Sequence, residues 1–97
     1  MEHSSLDIYE MHAIFKGNVQ GVGFRALTRH HANILGLKGT VRNLPNGTVE
    51  IYAQGSKRGL EELIQRLKEE VSFEQIEEAI IEYFPIKSEH EDFRIIY

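Results

Sequence analysis

The string Gly17-Asn18-Val19-Gln20-Gly21-Val22-Gly23-Phe24-Arg25 concentrates groups able to hold an oxyanion. Three glycines in the seven positions from Gly17 to Gly23 let the backbone take positive φ angles closed to bulkier residues. From Phe24 onward the apolar residues recur at helical spacing, so the loop runs straight into a helix start. That junction gathers backbone N–H groups and the positive end of the helix dipole around one point. Arg25 adds a permanent charge and a planar fork of donors matched to phosphate oxygens. Together they suit a tetrahedral oxyanion. The alternative is a plain glycine turn beside an exposed arginine, and short motifs of this kind often arise by chance. The G-K-[ST] ending of a Walker loop is absent.

Other reactive residue types form no comparable group. The five histidines, His3, His12, His30, His31 and His90, lack metal-ligand spacing; the neighbours His30 and His31 diverge by about 100° on a helix. Ser4, Ser5, Ser56, Ser72 and Ser88 have no nucleophile-elbow context. The acidic pairs Glu61-Glu62, Glu69-Glu70 and Glu77-Glu78 interrupt amphipathic stretches and are read as solvated faces. With no cysteine, thiolate chemistry and disulfides are excluded. No metal and no cofactor is expected.

The elements that position the loop follow from hydrophobic periodicity. Tyr9, Met11, Ala13 and Phe15 alternate with Glu10, His12, Ile14 and Lys16, the period of a half-buried strand. After the loop comes a helix carrying Phe24, Leu27, His31, Ala32 and Leu35 near one face and capped by Gly36, with the apolar Leu37 beyond it. Strands are predicted over 40–44 and 48–53, paired antiparallel across a turn containing Asn46-Gly47. Ser56 is placed to cap a second helix in which Leu60, Leu63, Ile64, Leu67 and Val71 form the apolar stripe. A fourth strand spans 76–84, and Phe93 to Tyr97 supports a short fifth one. The order is the βαββαβ of a ferredoxin-like α+β sandwich: an antiparallel sheet, two helices on one face and a short fifth strand. Residues 1–7 are expected to be a flexible tail and 8–97 a single domain. At 97 residues there is no room for a second one.

Asn43 ends the second predicted strand, within Gly39-Thr40-Val41-Arg42-Asn43, and Asn46-Gly47-Thr48-Val49-Glu50 follows. These blocks, with the string 17–25, closely resemble acylphosphatases. The likeness extends over roughly residues 9–97 in element order, and its specific motifs lie in 17–25 and 36–55. It implies hydrolysis of the carboxyl-phosphate bond of acyl phosphates. Arg25 and the amides of Gly17, Asn18, Val19, Gln20, Gly21, Val22, Gly23 and Phe24 would bind the phosphoryl group, and Asn43 would position the attacking water. Thr40 stands where many relatives carry tryptophan, and the Gly-Pro element many show after the second helix is missing around Ser72-Phe73.

The implied partner is a small acyl phosphate, with inorganic phosphate as product and inhibitor, acting on a monomer. An RNA-recognition module shares this element order, but Thr48-Val49-Glu50-Ile51-Tyr52-Ala53 lacks its basic-glycine-aromatic signature. The net charge of -4 also disfavours nucleic acid and anionic lipid. A third possibility is a carrier or regulatory role, as in the acylphosphatase-like domain that opens hydrogenase-maturation carbamoyltransferases. The chain carries no zinc-finger or transferase region, which favours a free-standing enzyme. No run approaches the length of a membrane span and no secretory signal opens the chain, so a cytoplasmic location is expected.

Overall fold

A computed structural model describes residues 8–71 and 75–97. The expectations for the tail 1–7 and for Ser72-Phe73 lie outside the described residues. In chain order the elements are β1 (Ile8–Gly17), α1 (Phe24–Ile34), β2 (Lys38–Asn43), β3 (Val49–Ser56), α2 (Lys57–Glu70), β4 (Ile76–Pro85) and β5 (Phe93–Ile95). The sheet order is β4-β1-β3-β2-β5.

The alternation in β1 buries Met11, Ala13 and Phe15 completely. Their register partners across β3 are Ala53, Ile51 and Val49, also fully buried, and Val41 of β2 lies opposite Ile51. This single apolar face receives Phe24 and Ala32 from α1 and Leu60, Leu63, Ile64 and Leu67 from α2. Removing side chains of this size from water contributes about 1.5–3 kcal/mol each, which is why the pattern dictates the layers. Tyr9 shares the parity of Met11 but is exposed, because it lies opposite Pro85 at the far end of the sheet.

Local signals set the helix ends. Ser56 Oγ accepts from the Gly59 N–H at 3.0 Å. At the end of α1 the Leu37 N–H reaches back to the Ala32 carbonyl at 2.8 Å while Leu37 itself is buried. Gly39 has φ 146°, and any Cβ there would collide with the Tyr52 carbonyl of the neighbouring strand. A side chain at that position would therefore prise β2 from β3.

The sheet is mixed where an antiparallel one was expected. β5 pairs parallel with β2, Gly39 to Phe93 and Val41 to Ile95, while β1–β3, β1–β4 and β2–β3 are antiparallel. A three-residue strand carries no signal of its direction, and here the loop after Pro85 fixes it by returning the chain beside β2. β2 starts at Lys38 and β3 continues to Ser56, beyond the predicted 40–44 and 48–53, since Lys38–Gln54 and Ile8–Ser56 still pair.

The uncovered face holds a polar cluster. Glu50 accepts from His12 Nε2 at 2.8 Å and from Arg42 Nε at 2.7 Å, and the His12 ring lies 4.5 Å from that of Tyr52. On the helical side, His31 is buried and meets Glu70 of α2, with Arg66 Nη1 donating to its Nδ1 at 3.4 Å. Glu70 is thus a helix-to-helix partner as well as a solvated residue, whereas Glu61, Glu62, Glu69, Glu77 and Glu78 are exposed as expected.

Candidate active site

The loop between β1 and α1 is built by two constraints. At its start the Asn18 N–H donates to the Gln75 carbonyl at 2.7 Å, tying the loop to the segment before β4. At its end Gly23 takes φ 79° as the N-cap of α1, a left-handed conformation that glycine adopts without steric cost. No side chain caps α1, and no acidic residue lies in its first turn. The first N–H groups of a helix have no partner within it, so the first turn of α1 presents donors and positive dipole to whatever lies beyond.

What lies beyond is a cavity of about 180 Å³ lined by the loop residues Val19, Gly21 and Gly23, by the helix-start residues Phe24, Arg25 and Ala26, and by Asn43, Ile95 and Tyr97. Phe24 is nearly fully buried, its ring 5.1 Å from that of Phe15, which pins the helix start to the sheet. Thr28 Oγ1, also buried, donates to the Phe24 carbonyl at 2.8 Å. Arg25 is half-buried, and its guanidinium carbon lies 4.8 Å from the centroid of the Tyr97 ring. Asn43, the last residue of β2, brings a buried Oδ1 that has no hydrogen-bond partner among the described residues. Burying such an acceptor unpaired is costly, so the site is suited to a ligand or water that donates to it.

Of the residues singled out by sequence, Val19, Gly21, Gly23, Phe24, Arg25 and Asn43 converge on this cavity, and Gly17, Asn18, Gln20 and Val22 are absent from its walls. The Asn18 N–H donates to the Gln75 carbonyl. Gln20 turns its side chain to the Leu44 and Thr48 carbonyls, at 2.8 Å each. Ala26, Ile95 and Tyr97 had not been anticipated. The only signal for Ile95 and Tyr97 was a strand pattern, and that pattern does not say which neighbour the strand will join. Among the described residues no group of three or more His, Asp or Glu side chains is placed to hold a metal ion.

A family model described as acylphosphatase matches residues 11–95. The chain belongs to the acylphosphatase family. An acylphosphatase of Methanothrix thermoacetophila is 42% identical over 81 residues, covering 84% of this chain and 89% of the relative. The crystal structure of acylphosphatase from Bacillus subtilis superimposes with a TM-score of 0.85 at 30% identity, covering 92% of this chain and 99% of that one. Full-length HypF in its phosphate- and nucleotide-bound form matches with a TM-score of 0.82 at 30% identity, covering 94% of this chain and 12% of HypF. Both structures thus share the overall fold over more than nine-tenths of this chain. No helix among the described residues is long and apolar enough to cross a membrane.

Proposed function

We propose that the protein hydrolyses acyl phosphates to a carboxylate and inorganic phosphate at the cavity between the loop, α1 and the end of β2. The observation that carries this reading is the pairing, across one cavity, of a cationic uncapped helix start with the unsatisfied buried Oδ1 of Asn43. Arg25 and the amides of the loop and first helical turn hold the phosphoryl oxygens. The volume accommodates that group with a few waters, since a water in the liquid occupies about 30 Å³.

Phosphoryl transfer depends chiefly on positioning and charge stabilisation, so no nucleophilic side chain is needed. Asn43 Oδ1 accepts one O–H of a water and aims its lone pair at phosphorus, opposite the acyl oxygen. The new P–O bond forms as the P–O bond to the acyl group breaks, and the carboxylate leaves with the electron pair. A phosphoryl oxygen of the substrate takes the proton of the attacking water. The carboxylate is a stable anion at neutral pH, so its departure requires no strong general acid.

The residues 8–97 act as one domain, a monomer in the cytoplasm whose partner is a small molecule rather than a nucleic acid. Hydrolysis of benzoyl phosphate, followed by ultraviolet absorbance beside a phosphate monoester, tests the assignment. Turnover of the acyl phosphate alone is expected. No turnover of benzoyl phosphate, or equal turnover of both, would overturn it.

A further inference from the structure

Gln20 lies between Val19 and Gly21, two residues that line the cavity, yet its own side chain leaves it. Nε2 donates to two acceptors, the Leu44 carbonyl at 2.8 Å and the Thr48 carbonyl at 2.8 Å. These carbonyls stand on opposite sides of the neck of the β2–β3 turn, where the Leu44 N–H also donates to Thr48 O at 2.8 Å. Asn46 Oδ1 accepts from Thr48 N and Thr48 Oγ1, at 3.1 and 2.6 Å, and closes the turn. Asn43 directly precedes Leu44, and among the described residues nothing hydrogen-bonds its Oδ1. The aim of that oxygen is therefore set by the backbone from which the side chain springs.

We infer that Gln20 is a positioning residue for the hydrolysis: it fastens the oxyanion loop to the β2–β3 turn and so fixes Asn43 Oδ1 relative to the bound phosphoryl group. The inference rests on the reading of Asn43 as the holder of the attacking water. A primary carboxamide suits the task because it offers two N–H donors in one plane, one for each carbonyl. Glutamate at this position has the same reach but presents acceptors to acceptors, and leucine fills similar space with no donor.

The test compares phosphate affinity by calorimetry with benzoyl phosphate kinetics in Gln20→Leu, Asn43→Ala and the double variant. Gln20→Leu is expected to keep its phosphate Kd within about threefold while kcat falls by about tenfold or more, the scale on which small misplacements act. In the double variant the losses should not multiply, since Gln20 acts through Asn43. Normal kcat in Gln20→Leu beside an impaired Asn43→Ala overturns the coupling alone, as do multiplied losses or a phosphate affinity that falls in step with kcat. Normal kcat in Asn43→Ala overturns the hydrolytic reading and the coupling together. Should Gln20→Leu fail to fold, Gln20→Glu decides. Protonation restores one donor to that side chain, so its kcat relative to wild type should rise as pH falls, and a flat ratio overturns the inference.

Discussion

The guanidinium carbon of Arg25 lies 4.8 Å from the centroid of the Tyr97 ring, so the proposed phosphoryl-binding charge rests against an aromatic face. Tyr97 is 97% exposed, and its ring meets the guanidinium at the mouth of the cavity. Tyr97→Leu should weaken phosphate binding by about two- to fivefold, the effect of an exposed cation–π contact, and Tyr97→Phe should leave it unchanged. Calorimetric titration of phosphate reads both; an equal loss in the two variants would point to the hydroxyl instead of the ring.

Arg25 and Asn43 are assigned different tasks, and substitution separates them. Arg25→Ala should lose phosphate affinity and turnover together. Asn43→Ala should retain most of its phosphate affinity and lose turnover by about a hundredfold or more, as expected for a positioned hydrogen bond that acts in the transition state. Circular dichroism establishes first that both variants fold. Unimpaired benzoyl phosphate hydrolysis by Asn43→Ala would remove the water from its care.

Inorganic phosphate should compete with substrate and raise Tm, because only the folded chain assembles the cavity. At a hundredfold excess over Kd the gain is about 2.7 kcal/mol. Differential scanning fluorimetry with phosphate and with an equal ionic strength of chloride separates site binding from a general salt effect. The same rise in both salts, or a full phosphate-specific rise in Arg25→Ala, would contradict the site.

Acidification should strike the uncovered sheet face. Burial pushes the Glu50 carboxyl up, but the hydrogen bonds and charges of His12 and Arg42 outweigh it and hold the group below its ordinary value. A carboxyl whose folded pKa is depressed stabilises the fold above its unfolded pKa, and this contribution disappears as pH falls through the folded value. The Tm advantage of wild type over Glu50→Gln should thus be full above about pH 5 and shrink with further acidification. An advantage that stays constant from about pH 7 to 3 would show that the charge of Glu50 plays no part.

The layers were legible because burial on one face writes a period into the chain. Met11, Ala13 and Phe15 announce a strand, and Leu60, Leu63, Ile64 and Leu67 announce a helix, before any partner is known. Arg25 and Asn43 were legible through the blocks around them, since both blocks resemble those of acylphosphatases. The direction of β5, the bond from the Asn18 N–H to the Gln75 carbonyl, the turn-binding role of Gln20 and the His31–Glu70 contact were not. Each depends on which distant segment arrives beside a residue, and a local pattern leaves that open. His31 has the spacing of an apolar position in α1, but only the approach of α2 supplies the carboxylate that lets it be buried there.

The parallel pairing of β5 with β2 also bears on when the enzyme comes into being during synthesis. The loop, Arg25 and Asn43 leave the ribosome early, but the cavity walls at Ile95 and Tyr97 are translated after all the other elements. The Ile96 N–H then docks on the Val41 carbonyl at 2.9 Å, beside the strand that ends in Asn43. A chain ending at Pro85 would carry both proposed catalytic side chains but lack the wall that Ile95 and Tyr97 supply.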